Sequence, residues 1–127
     1  MSETERTKMY EELNLRLIHV GINFDNDAQA SEAADLFCKM LNLNKKPVPG
    51  MSYFAGDCVE LMNNRNRGSK GHIGFATNDL DKTEALMEEM GFKVDKDSYF
   101  FLPNGKKVLV YLEDEYYGFA VHFTERI

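Results

Sequence analysis

The amino-acid sequence predicts an α+β domain built from two βαβββ modules in a mixed sheet. Three observations predict it. A strand-like run, a helical pattern and three further strand-like runs follow one another twice along 127 residues. The phrase His19-Val-Gly-Ile returns as His72-Ile-Gly-Phe, so both halves open alike. They also close alike, since Gly56-Asp-Cys-Val-Glu60 aligns with Gly118-Phe-Ala-Val-His122. Two units are too few for a stacked solenoid. The expectation is therefore two curved sheets meeting about a pseudo-twofold axis.

Residues 1–14 are polar and read as an N-terminal extension, with a loose helix through Met9, Tyr10 and Leu13. The domain proper is expected over 15–127: module one at 15–63, a joint at 64–70 and module two at 71–125. Leu15 to Phe24 alternates and is rich in branched residues, which suits a strand. Asp25-Asn26-Asp27 offers helix-capping side chains. Ala30, Ala34, Phe37 and Leu41 then recur at helical spacing. Lys45 to Gly50 holds two prolines and allows at most a short edge strand. Met51–Ala55 and Cys58–Met62 read as strands around a Gly56-Asp57 turn. In the second half Gly71–Thr77 is a strand and Asn78 to Asp81 caps a helix. Thr83, Leu86, Met87 and Met90 form its stripe, and Gly91 suits its C-terminus. Lys93–Leu102 and Lys107–Leu112 flank a Pro103-Asn104-Gly105 turn. Gly118–Thr124 is the last strand.

Composition narrows the partners. A net charge of −6 disfavours nucleic acid and anionic membrane, which attract basic faces. No run approaches the ~20 apolar residues of a membrane helix. The first residues are charged and lack the apolar core of a secretion signal. Cys38 and Cys58 make no disulfide framework, in keeping with a reducing cytoplasm. Cys38 is expected in the core. Cys58, two residues before Glu60, is expected to share its face and line the same cavity, a metal-ligating thiolate being the alternative.

All three histidines, His19, His72 and His122, fall on expected strands. Imidazole is the commonest metal ligand among side chains at physiological pH and is costly to bury without a partner. The repeat equates Glu60 with His122 as it equates His19 with His72. A twofold arrangement would thus gather three imidazoles and one carboxylate. Val59 and Leu61 flank Glu60 on the opposite face, as Val121 and Phe123 flank His122. Three nitrogens and an oxygen suit one divalent Zn, Ni, Co, Mn or Fe ion. The competing reading is a set of hydrogen-bonded core histidines and an exposed glutamate.

These phrases, with Tyr53-Phe-Ala-Gly-Asp-Cys-Val-Glu-Leu-Met and Gly71-His-Ile-Gly, resemble the vicinal oxygen chelate superfamily. It is also known as the glyoxalase, bleomycin-resistance and extradiol-dioxygenase fold. The likeness covers about residues 15–125. It is narrowest to the domains fused behind keto-hydroxyglutarate or keto-deoxy-phosphogluconate aldolases, although no aldolase chemistry is expected of these residues. The resemblance implies a cup of two βαβββ modules, with metal ligands from first and last strands: His19, Glu60, His72 and His122. Glyoxalase I usually has a carboxylate where this chain has His122, so methylglyoxal conversion is not implied. With Glu60 the sole carboxylate, the loaded site keeps one net positive charge and favours an anionic chelating substrate.

The expected function is a metal-dependent lyase or isomerase that stabilises an oxyanion or enediolate on a small 2-oxo or 1,2-dioxygenated acid. Glu60 could leave the metal and act as a general base, or the base could be a bound hydroxide. Arg65, Arg67 and Lys70 of the joint are candidate anchors for a substrate carboxylate or phosphate. The alternative for that segment is a solvated connector. Tyr53, Tyr99, Tyr111, Tyr116 and Tyr117 are expected as strand residues with wet hydroxyls. Met40, Met62, Met87 and Met90 are expected to fill gaps in the core. Two rival functions stand beside the enzyme: a metal-free drug- or metabolite-binding protein, and a metabolite sensor acting on a keto-acid aldolase. The superfamily implies a homodimer.

Overall fold

The computed structural model describes residues 1–125; Arg126 and Ile127, the last two of the expected domain, lie outside the described residues. Its elements are α1 (Glu3–Leu13), β1 (Arg16–Asn23), α2 (Asp27–Leu41), β2 (Lys45–Val48), β3 (Ser52–Ala55) and β4 (Val59–Met62). They continue with β5 (Gly71–Ala76), α3 (Leu80–Glu89), β6 (Val94–Phe101), β7 (Lys107–Leu112) and β8 (Phe119–Thr124). After α1 the order strand, helix, three strands occurs twice, as expected. The strands form one mixed sheet in the order β2-β3-β4-β1-β5-β8-β7-β6. Contacts divide the chain into two compact units.

One unit comprises Ile18–Ile73 with Glu115–Ala120. Asn26 starts α2 by accepting a hydrogen bond from the Gln29 amide at 2.9 Å, as its position in the sequence suggests. Small residues bring that helix close to the sheet: Ala30 and Ala34 pack on Ala55 and Leu61, with Ile22, Phe24, Phe37 and Cys38 around them. β3 pairs antiparallel with β4, Phe54 opposite Glu60. β1 runs parallel to β4, Gly21 opposite Glu60. With Leu61 spent on the α2 face, the pleat turns Glu60 to the other face.

The other unit comprises Met1–Leu17, Gly74–Asp114 and the chain from Val121. Asp79 caps α3 by accepting from the Lys82 amide at 3.0 Å. Leu80, Thr83, Leu86 and Met87 are its buried face, and Gly91 takes φ +93 just beyond its end. α1 lies against α3 and is tied by a backbone bond from Asn78 to the Leu13 carbonyl. The register of β6 on β7 shifts between Asp95 and Phe101, bulging the edge strand.

Some side chains depart from expectation. Leu41 and Met90 are exposed because each stands where its helix ends. Met40 is 63% exposed; six residues past the buried Ala34, it lies ~240° round the helix. Only Met62 and Met87 of the four methionines fill core. Cys58 sits in the exposed turn before β4 rather than on the strand beside Glu60, so it lines nothing with that residue. No helix among the described residues is long and apolar enough to cross a membrane.

Candidate metal centre

Three of the four expected ligands lie in the first unit and converge. His19 sits on β1, Glu60 on β4 and His72 at the start of β5. The Nε2 atoms of His19 and His72 are 3.0 Å apart. Glu60 Oε1 is 3.1 Å from His72 Nε2 and 3.7 Å from His19 Nε2. The imidazole planes are nearly perpendicular, at 83°, so two ring edges and one carboxylate edge meet. Phe54 stands edge-on to His19 at 5.9 Å and forms an apolar wall.

This donor set fits a divalent ion. Ligand atoms ~2.1 Å from one first-row ion stand ~3.0 Å apart at right angles and ~3.4 Å apart at the tetrahedral angle. The observed separations bracket those values. Strands supply all three donors, which holds them more firmly than loops would.

A residue missed at the sequence level supports the carboxylate. Ser52, 2% exposed on β3, donates its hydroxyl to Glu60 Oε2 at 2.7 Å. The bond occupies one carboxylate oxygen and leaves Oε1 toward the histidines, as outer partners of ligating carboxylates do. The hairpin turn is three residues long, Gly56 to Cys58, one more than the expected Gly56-Asp57 turn, and this sets Phe54 rather than Tyr53 opposite Glu60. Ser52 is then the neighbour two positions along the same face.

Electrostatics prepare the same set. Burial holds the His19 imidazole below its ordinary pKa, and His72 adds to this more than Glu60 offsets it. Burial pushes the Glu60 carboxyl upward, but hydrogen bonds from His72 and Ser52 and the nearby imidazoles outweigh it and leave it low. A neutral His19 and an ionised Glu60 at neutral pH are the protonation states that a cation needs.

The fourth expected ligand, His122, belongs to the other unit. It is 2% exposed on β8, with its ring 5.1 Å from that of Tyr111. The joint is tied down through its backbone: Asn23 donates its side-chain amide to the Gly68 carbonyl at 2.9 Å and its backbone N–H to the Lys70 carbonyl. Of the candidate anchors, Arg65 pairs with Asp25 at 2.9 Å, both exposed. Arg67 is half-buried and Lys70 exposed. Among the tyrosines, Tyr53 donates to Asp27 at 2.7 Å and Tyr117 is almost fully exposed.

No protein-family model matches this sequence, and no curated protein does. Solved structures match in fold. The hypothetical protein BH1468 from Bacillus halodurans C-125 aligns at a TM-score of 0.58 and 16% identity, covering 89% of this chain and 95% of that one. A Streptomyces coelicolor methylmalonyl-CoA epimerase in complex with 2-nitronate-propionyl-CoA aligns at 0.54 and 16%, covering 85% and 92%. The methylmalonyl-CoA epimerase from Mycobacterium tuberculosis aligns at 0.52 and 14%, covering 85% of each. This is the glyoxalase fold. At such identities the likeness speaks for the fold alone. The glyoxalase-fold chain described here has the α+β architecture that its duplicated sequence predicts.

Proposed function

We propose that this protein is a divalent-metal enzyme of isomerase or lyase type, acting on a small anionic substrate with two adjacent oxygens. The observation that supports it is the convergence of His19 Nε2, His72 Nε2 and Glu60 Oε1 within 3.7 Å. His122 is proposed as the fourth ligand. It offers a ring nitrogen, and the repeat equates it with Glu60. A bound Zn, Ni, Co, Mn or Fe ion supplies Lewis-acid stabilisation of an oxyanion.

The chain's own residues do the rest. Glu60, held by Ser52 through one oxygen, would release the other from the ion to serve as the proton acceptor for the carbon beside the substrate carbonyl. His19 stays neutral at working pH and keeps its lone pair available. Phe54 limits water on one side. Arg65, Arg67 and Lys70 are proposed to hold the far anionic group of a 2-oxo or 1,2-dioxygenated acid. The CoA esters bound by the epimerases of this fold add acyl-CoA thioesters to the compounds worth assaying.

The experiment is elemental analysis of purified protein, then thermal shift with and without chelator. Deuterium exchange at the α-carbon of 2-oxo acids and acyl-CoA esters follows. One ion per chain, a lower melting point on chelation and metal-dependent exchange are expected. Metal-free protein indifferent to chelator would overturn the proposal in favour of a sequestering, bleomycin-resistance-type binder. The homodimer and the cytoplasmic setting remain part of the proposal. Sedimentation analysis tests the first; the second accords with two free thiols.

A further inference from the structure

The His72 imidazole lies over Gly21 in a space that no other residue would leave. A Cβ placed on Gly21 would stand 2.1 Å from His72 Cε1, 2.4 Å from Nδ1 and 2.7 Å from Nε2. Carbon does not approach ring atoms that closely. Gly21 is also the strand partner of Glu60, so one position of β1 borders two of the three converging groups. Its φ is not among the positive values that favour glycine, so alanine is acceptable to the strand itself. What excludes a side chain is the ring.

We infer that Gly21 is a positioning residue for the metal centre: its missing side chain is the seat that sets His72 Nε2 beside His19 Nε2 and Glu60 Oε1. Glycine is the residue of choice where another group must approach the backbone closely. The inference deepens the metal reading and rests on it. Substituting alanine would push the imidazole away from β1 and take Nε2 out of the cluster, while the α2 face of β1 keeps Ile22 in its core.

The test uses Gly21→Ala in the full chain, with cobalt(II) alone as the probe. After chelator treatment the variant is expected to fold. Its cobalt affinity should fall by about 10–100-fold, with altered visible absorption, as when the support of a ligand is lost. Cobalt binding with unchanged affinity and spectrum would overturn the inference.

A stability cycle keeps it testable should the variant fold poorly. Gly21→Ala should lower the melting point of the chelator-treated native chain far more than that of a His72→Ala chain, where the ring is gone. Equal losses in both would show that the glycine serves something other than the imidazole. An NMR contact between the Gly21 α-protons and His72 Hε1 in metal-free protein checks the seat itself. Its presence in a chain that takes up no cobalt would leave the seat standing while the metal reading fails. Its absence would remove the seat.

Discussion

Ser52 and Glu60 face the same side of the β3–β4 hairpin, and the serine hydroxyl donates to one carboxylate oxygen at 2.7 Å. The other oxygen is thereby left to the two imidazoles. Ser52→Ala is expected to keep the fold and weaken metal binding by about tenfold, in the range measured for outer-shell partners. A buried oxygen losing its donor also costs about 1–3 kcal/mol. Metal titration and urea unfolding of the variant check both. Unchanged affinity would reduce Ser52 to a packing residue.

Glu60→Gln, His19→Gln and His72→Gln keep side-chain bulk while removing charge or imidazole. Each is expected to lower bound metal below one per chain and to abolish the chelator-sensitive part of the melting point. Elemental analysis reads the first effect and thermal shift the second. His122→Gln tests the proposed fourth ligand in the same way.

Acid should destabilise the metal-free protein. His19 has its folded pKa below the ordinary 6.5, so below that pH the unfolded chain binds a proton that the folded chain resists. Glu60 has its folded pKa below the ordinary 4.5; its contribution is present above that value and lost as pH falls through the folded one. Both slopes have the same sign. The melting point of chelator-treated protein should drop first below pH 6.5 and again below pH 4.5. His19→Gln should remove the first drop. A melting point that rises on crossing pH 6.5 downward would contradict the assignment.

Leu61, fully buried one residue after Glu60, tests the division of β4 into two faces. Leu61→Ala is expected to cost about 2–5 kcal/mol in denaturant unfolding. Metal stoichiometry at low temperature should stay at the native value, because the lost contacts are those with α2.

Arg65 and Asp25 form an exposed pair, and such pairs contribute at most about 1 kcal/mol. Arg65→Ala should barely move the melting point. If Arg65 anchors the substrate, the same variant raises KM with kcat nearly unchanged. Unchanged steady-state kinetics would leave it a surface residue of the joint.

Much of this was legible in the sequence. Apolar periodicity and capping residues located α2 and α3, which each bury one face and start at Asn26 and Asp79, and alternation located the strands, β2 being expected at most as a short edge strand. Alternation along β4 correctly separated Glu60 from Leu61. The ends of the stripes are not legible, since spacing alone does not say that a helix stops packing at Leu41 or Met90. Cys58 falls in the turn, where alternation assigns no strand face.

The order of elements, the duplication and the identity of the histidines and glutamate carried on strands are thus written in the chain itself. These follow from local rules, namely side-chain period, capping chemistry and turn preference, which act over a few residues. Tertiary structure alone decided that Ser52 would hold Glu60 and that His72 would rest against Gly21. Each of these depends on strand register or on the separation of two backbones. The register turned on one extra residue in the hairpin turn, and the separation on packing between segments distant in the chain, His72 being 51 residues from Gly21.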